Sequence, residues 1–309
     1  MKKRPDDMLI YYGWLNSFNS ASNSWDNEKV AQDLAKYDVI VLGDGIQSSG
    51  HGDYANTTTI IPRIKELNPN TKIFGYVTVD QTYSTFKTKV DEWETLEVHG
   101  IFLDEAGYDF GKTRSEFNDR VDYVHSQDNA NICFVNAWNF DHVLGVDNDA
   151  SYPNTTYNSD ELSSNLEDSD YILLESLAVN TDSYANDYEA HATWRARLEK
   201  AIEKRVDYSI NLAACCIIND SHADGADLFS FAYISALMGA VDVFGSSSTS
   251  YGAGTAASNY WTRPDVDEYW EEEPEIVLEG TCKYLRYLNN TKFVLDFTSS
   301  SEDSAIESF

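Results

Sequence analysis

Short apolar runs recur along this chain every 30 to 40 residues or so, and most break at their C-terminal end into Gly, Asn or an acid. They are Leu9–Tyr12, Val39–Leu42, Ile73–Val79, Ile101–Leu103, Ile132–Val135, Tyr171–Leu174, Tyr208–Ala214 and Val241–Phe244. Runs of this length, bounded by turn residues, read as strands covered on both faces. Between them lie segments with apolar residues at helical spacing. The pattern predicts helices over Glu28–Tyr37, over Thr59–Leu67 with a stop at Asn68-Pro69, over Phe86–Leu96, and around Phe117, Val121 and Val124. A polar loop from Phe140 to about Asn158 leads to a short helix before the sixth strand, and longer helices follow over Tyr184–Lys204 and Asp227–Gly239. Eight strands alternating with helices close a barrel. The expected fold class is therefore α/β, a (β/α)8 TIM barrel over residues 9–280 with an N-terminal arm over 1–8. An open doubly wound sheet is the competitor, through Gly43-Asp-Gly45, but the third glycine of a dinucleotide loop is missing and the motif follows the second strand.

A barrel brings its strands' C-terminal ends to one mouth, where such folds place their ligands. In chain order these ends carry Trp14, Asp44, Asp80, Asp104 with Glu105, Asn136 with Trp138, Glu175, Asn211 and Ser246 to Ser248, with Tyr12, Tyr76 and Tyr108 nearby. Counting by twos places Phe102 with Asp104, and Leu173 with Glu175, on one strand face, so both acids point inward. Carboxylates and amides hydrogen-bond hydroxyls, and aromatic faces pack on the apolar side of a sugar ring. Two carboxylates across such a pocket are the minimum for glycoside hydrolysis, one as acid and the other as nucleophile or base. Asp104 and Glu175 are the expected pair. Glu105 competes with Asp104, because a one-residue slip of register exchanges which acid faces in. Tyr12, Trp14, Asp44, Tyr76, Asp80, Tyr108, Asn136, Trp138 and Asn211 are the expected substrate contacts.

Charge narrows the setting. Lys plus Arg number 22 against 52 Asp plus Glu, a formal net charge of -30. Nucleic acid is excluded as a partner, since phosphates need basic patches. The acids are spread through a chain that is 13% aromatic, which reads as a folded protein of a strongly screening medium, where the Debye length is roughly 3 Å at about 1 M salt. The reading is a halophile's protein. Cys133, Cys215, Cys216 and Cys282 form no CxxC, and the six histidines show no paired ligand spacing, so neither disulfides, a zinc site nor any other metal is expected. No cofactor motif is present. Ser246-Ser-Ser248 with Gly252 and Gly254 reads as a lid loop, since a phosphate cradle would want a nearby Lys. The basic start, Met1 to Arg4, is followed by no apolar signal segment, and no stretch reaches the roughly 20 apolar residues of a membrane span.

Gly100-Ile-Phe-Leu-Asp-Glu-Ala-Gly-Tyr-Asp-Phe-Gly111, the Val121-Asp-Tyr-Val-His125 segment and Phe134-Val-Asn-Ala-Trp138 together resemble the spherulin-4-like and endo-α-1,4-polygalactosaminidase-related barrels. The resemblance spans Leu9 to about Phe297. It implies a glycoside hydrolase-like barrel acting on amino-sugar polysaccharides, with an Asp ending the fourth strand and a Glu ending the sixth as the catalytic pair, here Asp104 and Glu175. Tyr284 to Asp296 is similar to the closing hairpin of many glycosidase-like barrels, with Asn289-Asn290 at its turn. A short C-terminal β-hairpin extension and tail are therefore expected over 281–309. Two functions compete. One is hydrolysis of a cell-surface or matrix polysaccharide. The other is catalytically silent glycan binding in a tail or surface assembly of a haloarchaeal virus, with virion neighbours or a homo-oligomer as partners. The expected location is extracellular or virion-associated without a signal peptide, and the alternative is the cytoplasm of a halophile.

Overall fold

In the computed structural model, which describes residues 3–146, 156–184, 191–219, 222–248, 263–298 and 301–308, eight parallel strands close into a barrel. They are β1 (Asp6–Tyr11), β2 (Val39–Leu42), β3 (Lys72–Thr78), β4 (Gly100–Asp104), β5 (Ile132–Asn136), β6 (Tyr171–Leu174), β9 (Asn211–Ile217) and β10 (Val243–Ser247). A small hairpin, β7 (Val179–Asn180) with β8 (Ser183–Tyr184), lies between β6 and β9. Each barrel strand pairs with the next in chain order, and β10 returns to β1 through Asp6 opposite Val243.

Both faces of these strands are apolar because both are covered. On β4, Ile101 and Leu103 join the large core under the helices, while Phe102 joins a second core inside the barrel with Met8, Ile10, Val41, Phe74, Phe134, Leu173 and Cys215. Phe134 is the hub of the inner core, edge-on to Phe74 at 5.3 Å and to Phe102 at 5.2 Å. The interior is thus packed solid below the mouth. Outside, the fully buried Trp93 lies against Gly75, where an added Cβ would sit 2.1 Å from the indole. Any side chain at 75 would force the Tyr83–Thr95 helix away from the sheet.

Local signals account for two helix starts. Thr113 and Glu116 form a reciprocal capping box at the head of the Arg114–His125 helix, and Thr82 caps the Tyr83–Thr95 helix. The expected Thr59 start is corrected to Tyr54, in a helix running to Leu67. Reading from Thr59 puts Pro62 in the first turn, where proline is tolerated, whereas it lies mid-helix. The short helix expected before the sixth strand is absent among the described residues 156–170. Side chains satisfy that segment's backbone instead: Asn158 Nδ2 and Arg114 donate to the Leu162 carbonyl and Asn118 to that of Ser163.

Two strands start later than expected. The His191–Tyr208 helix runs through Tyr208, and Ser209 turns the chain at φ +55, so β9 begins at Asn211. β10 likewise begins at Val243, which places Ser246 and Ser247 inside the strand, buried. Gly252, Gly254 and the stretch expected to open the helix at Tyr184, from 185 to 190, lie outside the described residues. The arm ends sooner than expected, because Asp6 to Met8 already belong to β1.

The C-terminal hairpin is β12 (Lys283–Leu288) with β13 (Thr291–Thr298), joined at Asn289 with φ +53. It is the centre of a larger antiparallel sheet. β11 (Val277–Glu279) pairs on one side and the tail strand β14 (Ser301–Ser308) on the other. Tyr284 and Phe297 dock this sheet on the barrel's helices, 5.1 and 5.0 Å from Trp194, with Phe231 4.9 Å from Phe297. No helix among the described residues is long and apolar enough to cross a membrane.

Candidate active site

Asp104 is the last residue of β4, Asn136 the last of β5, and Glu175 follows β6. These strands are neighbours, with Leu103 opposite Val135 and Asn136 opposite Leu173. Strand order therefore sets the amide between the two acids. Asn136 Nδ2 donates to Asp104 Oδ1 and to Glu175 Oε2, at 2.9 Å each. Both amide hydrogens are spent on the carboxylates, so Asn136 spaces the acids instead of offering its amine to a ligand. The two facing oxygens lie no farther apart than twice 2.9 Å.

The residues after the acids hold them at the mouth. Glu105 and Ser176 both adopt the left-handed conformation, at φ +56, which an L residue adopts only at a cost. Each turns the chain off its strand directly behind an inward carboxylate. Glu105 itself accepts from Thr78 Oγ1 at 2.5 Å, while its backbone amide donates to Asp104. Asp104 also accepts from Tyr76 Oη at 2.8 Å. Burial raises the Asp104 carboxyl above its ordinary value and the Glu175 charge adds to this, while the donors from Tyr76, Glu105 and Asn136 pull the other way.

The acids line a cavity of about 400 Å³ with Ile10, Tyr12, Phe102, Asp109, Phe110, Asn136, Ala137, Trp138 and Leu173. Among these described lining residues are Asp104, Glu105, Asp109 and Glu175 but no Lys or Arg. Tyr12 stands edge-on to Tyr76 at 5.3 Å. Its phenol is held well above its ordinary pKa by burial and by the charges of Asp104 and Glu175, so it stays a hydrogen-bond donor. Trp138 is 45% exposed beside the cavity, with the Arg197 guanidinium 3.8 Å from its ring. Arg197 Nη2 also donates to the Glu175 carbonyl at 3.0 Å.

Of the residues expected at the site, Asp104, Glu105, Glu175, Tyr12, Asn136 and Trp138 line this cavity. Tyr76 sits behind it, hydrogen-bonded to Asp104. Trp14 is exposed on the rim against His51, Asp44 is bound to Lys89 and Gln47, and Asp80 pairs with Lys112 at 3.4 Å. Two expected substrate contacts are corrected. Asn211 opens β9 at the opposite end of the barrel, where it donates to the Asp168 and Asp170 carbonyls. Tyr108 is buried, stacked between His142 and Tyr157. Asp109, Phe110, Thr78 and Arg197 were not expected. Asp109 and Phe110 lie within the Gly-rich turn after β4, but no sequence periodicity assigns a side chain of a turn to a cavity.

If Asp104 works as an anion, the Tyr76→Phe variant loses a stabiliser of that anion and the Asp104 pKa rises further. Loss of one hydrogen bond to a charged group is worth about 1.5–3 kcal/mol, or roughly 10- to 100-fold in rate. The acid limb of the kcat/KM profile should then move to higher pH. A move of the alkaline limb instead would give Asp104 the role of proton donor.

No protein-family model matches the sequence, and no curated protein matches it. Solved structures resemble it at low identity. The carboxyl transferase domain of Rhizobium etli pyruvate carboxylase superposes with a TM-score of 0.46 at 10% identity, over 80% of this chain and 40% of that one. Haloferax volcanii malate synthase gives 0.47 at 10% identity, over 79% and 66% respectively. A GH5 broad-specificity endoglucanase from Ruminococcus champanellensis, with bound cellotriose, gives 0.42 at 7% identity, over 77% and 86%. These neighbours carry different chemistries, so a reaction has to be argued from the site itself. The chain is a (β/α)8 TIM barrel, as its own strand order shows.

Proposed function

We propose that this protein is a retaining glycoside hydrolase that cuts an amino-sugar polysaccharide of a cell surface or matrix. The observation that carries the reading is the single amide nitrogen of Asn136, 2.9 Å from a carboxylate oxygen on each side. It ties Asp104 and Glu175 at a spacing that suits carboxyl groups about 5–5.5 Å apart, as retention requires, better than the roughly 6.5–9.5 Å of inverting enzymes.

The donors around Asp104 suit a nucleophile. Tyr76, the Glu105 amide and Asn136 all donate to this carboxylate and oppose the burial that raises its pKa, and its ionised form attacks the anomeric carbon. Glu175 then protonates the departing glycosidic oxygen and afterwards takes a proton from the water that hydrolyses the glycosyl ester. Trp138 offers an exposed face to a sugar ring. Four acids and, among the described lining residues, no Lys or Arg favour a sugar bearing a protonated amine, which would neutralise part of that charge. The likeness of the β4 and β5 motifs to the spherulin-4-like and polygalactosaminidase-related barrels points to the same substrate class. The chain's net charge of -30 suits work in concentrated salt.

The test is incubation in molar salt with a de-N-acetylated galactosamine polymer and with its fully N-acetylated form. New reducing ends should form faster from the charged polymer, and proton NMR should first detect product with the anomeric configuration of the substrate. Inverted product would remove Asp104 as nucleophile. Absence of reducing ends from both polymers would sink the amino-sugar reading.

A further inference from the structure

At the barrel's opposite end, far along the strands from the carboxylate pair, three side chains of different chemistry converge. His125 ends the Arg114–His125 helix, Cys133 is the second residue of β5, and Asp170 immediately precedes β6. A ring nitrogen of His125, the Cys133 sulfur and a carboxylate oxygen of Asp170 all lie within 4.8 Å of one another. Asp170 and Cys133 are fully buried, and the His125 side chain is 17% exposed. We propose that His125, Cys133 and Asp170 form a structural site for a zinc-class divalent cation, with water from the adjoining hollow as fourth ligand.

The arrangement is prepared on the protein side. Asp170 Oδ1 accepts from the Cys133 amide at 2.7 Å and Oδ2 from the Glu167 amide at 2.8 Å, which fixes the carboxylate plane. Its remaining lone pairs face His125, whose Nε2 lies 3.3 and 3.1 Å from the two oxygens. That near-equal approach centres the ring nitrogen on the carboxylate. A hollow of about 620 Å³ opens beside the cluster and is lined in part by Asp122, His125, Asn165 and Glu167. It supplies an entry path and water, and two further carboxylates that raise the local cation concentration. A thiolate, an imidazole and a carboxylate suit zinc-like ions and not calcium or magnesium, which want oxygen. The metal displaces the proton of the Cys133 thiol and any proton on Nε2 of His125. These leave to solvent as the Cys133 sulfur, the ring nitrogen and Asp170 each gain a bond to the cation.

A metal here would pin the Arg114–His125 helix to the starts of β5 and β6, two of the three strands that carry the active-site triplet. The ligands lie 8 and 37 residues apart in sequence, a spacing that matches no metal motif, which is why the sequence alone led to the expectation of no metal. The site does not depend on the glycosidase reading.

The test uses the full chain after treatment with a chelator. Titration with Co2+ should produce a thiolate-to-metal charge-transfer band saturating at one equivalent. Zn2+ should abolish that band, be retained at one equivalent on dialysis, and raise the melting temperature. Cys133→Ser should remove the band, and His125→Gln should weaken Zn2+ binding by at least about tenfold. If wild-type protein gives no such band, or if a folded Cys133→Ser keeps it, the proposal is wrong. The wild-type titration decides the matter even where a variant fails to fold.

Discussion

Glu175→Gln, purified folded in molar salt, is expected to lose about 10²- to 10⁴-fold in kcat on a polymeric substrate, the usual worth of a positioned acid and base. The loss should depend on the leaving group. A nitrophenyl glycoside needs no proton on departure, so its glycosyl ester should still form on Asp104 and accumulate, and added azide should release it without a general base. Asp104→Asn should behave differently, with activity near background on every substrate and no glycosyl ester, and any glycosyl azide formed should have inverted configuration because azide then replaces the missing nucleophile. The two variants thus separate roles as well as test them. If both hydrolyse as well as wild type, the carboxylate pair is not the catalytic machinery, and the cavity is left as a glycan-binding site. If azide rescues Asp104→Asn with a glycosyl azide that keeps the substrate's configuration, the roles are exchanged.

Arg263→Met should destabilise the fold strongly, costing about 3–5 kcal/mol. Arg263 Nε lies 3.0 Å from Asp7 Oδ1, with the two side chains 3% and 2% exposed. Removing the cation leaves a carboxylate buried in the wall of β1, and Arg4, 3.8 Å away and 43% exposed, answers only part of that charge. The guanidinium also lies 5.1 Å from the Phe229 ring. The residues that follow Arg263 strap the base of the barrel: the Tyr233 hydroxyl donates to the Pro264 carbonyl, Tyr269 to that of Val241, and the Trp270 indole to Asp242. Urea melts at fixed salt would measure the loss. Asp7→Asn combined with Arg263→Met should cost much less than the two single changes together, since the double variant buries no orphan charge. A cost below about 1 kcal/mol for Arg263→Met would mean that the pair is solvated in practice.

Part of this site is legible in the sequence. Period-two counting along Ile101 to Asp104 and along Leu173 to Glu175 faces both acids into the barrel, and both line its cavity. That works because a strand allows only two side-chain directions, and the apolar residue two positions back must enter the inner core. The bounds of β9 were not legible in the same way. Ile210 to Ile218 is one unbroken apolar run apart from Asn211, so nothing in it marks where the preceding helix releases the chain, and the slip carried Asn211 to the wrong end of the barrel. Tyr108 was misplaced for a related reason. It lies in a turn, where the packing of His142 and Tyr157 decides which way a ring points.

The local pattern of this sequence determined the repeat of strands and helices, hence the closed barrel, and which acids end β4 and β6. These are short-range properties, fixed by side-chain alternation and by turn residues. Only the tertiary structure decided that one amide of Asn136 spans both acids, that Tyr76 serves Asp104, that Arg263 neutralises Asp7, and that His125, Cys133 and Asp170 meet. Each of those contacts joins residues from 28 to 256 positions apart, except the closer His125–Cys133 pair. Their partners are chosen by which strands become neighbours when the barrel closes, information that no window of the sequence contains.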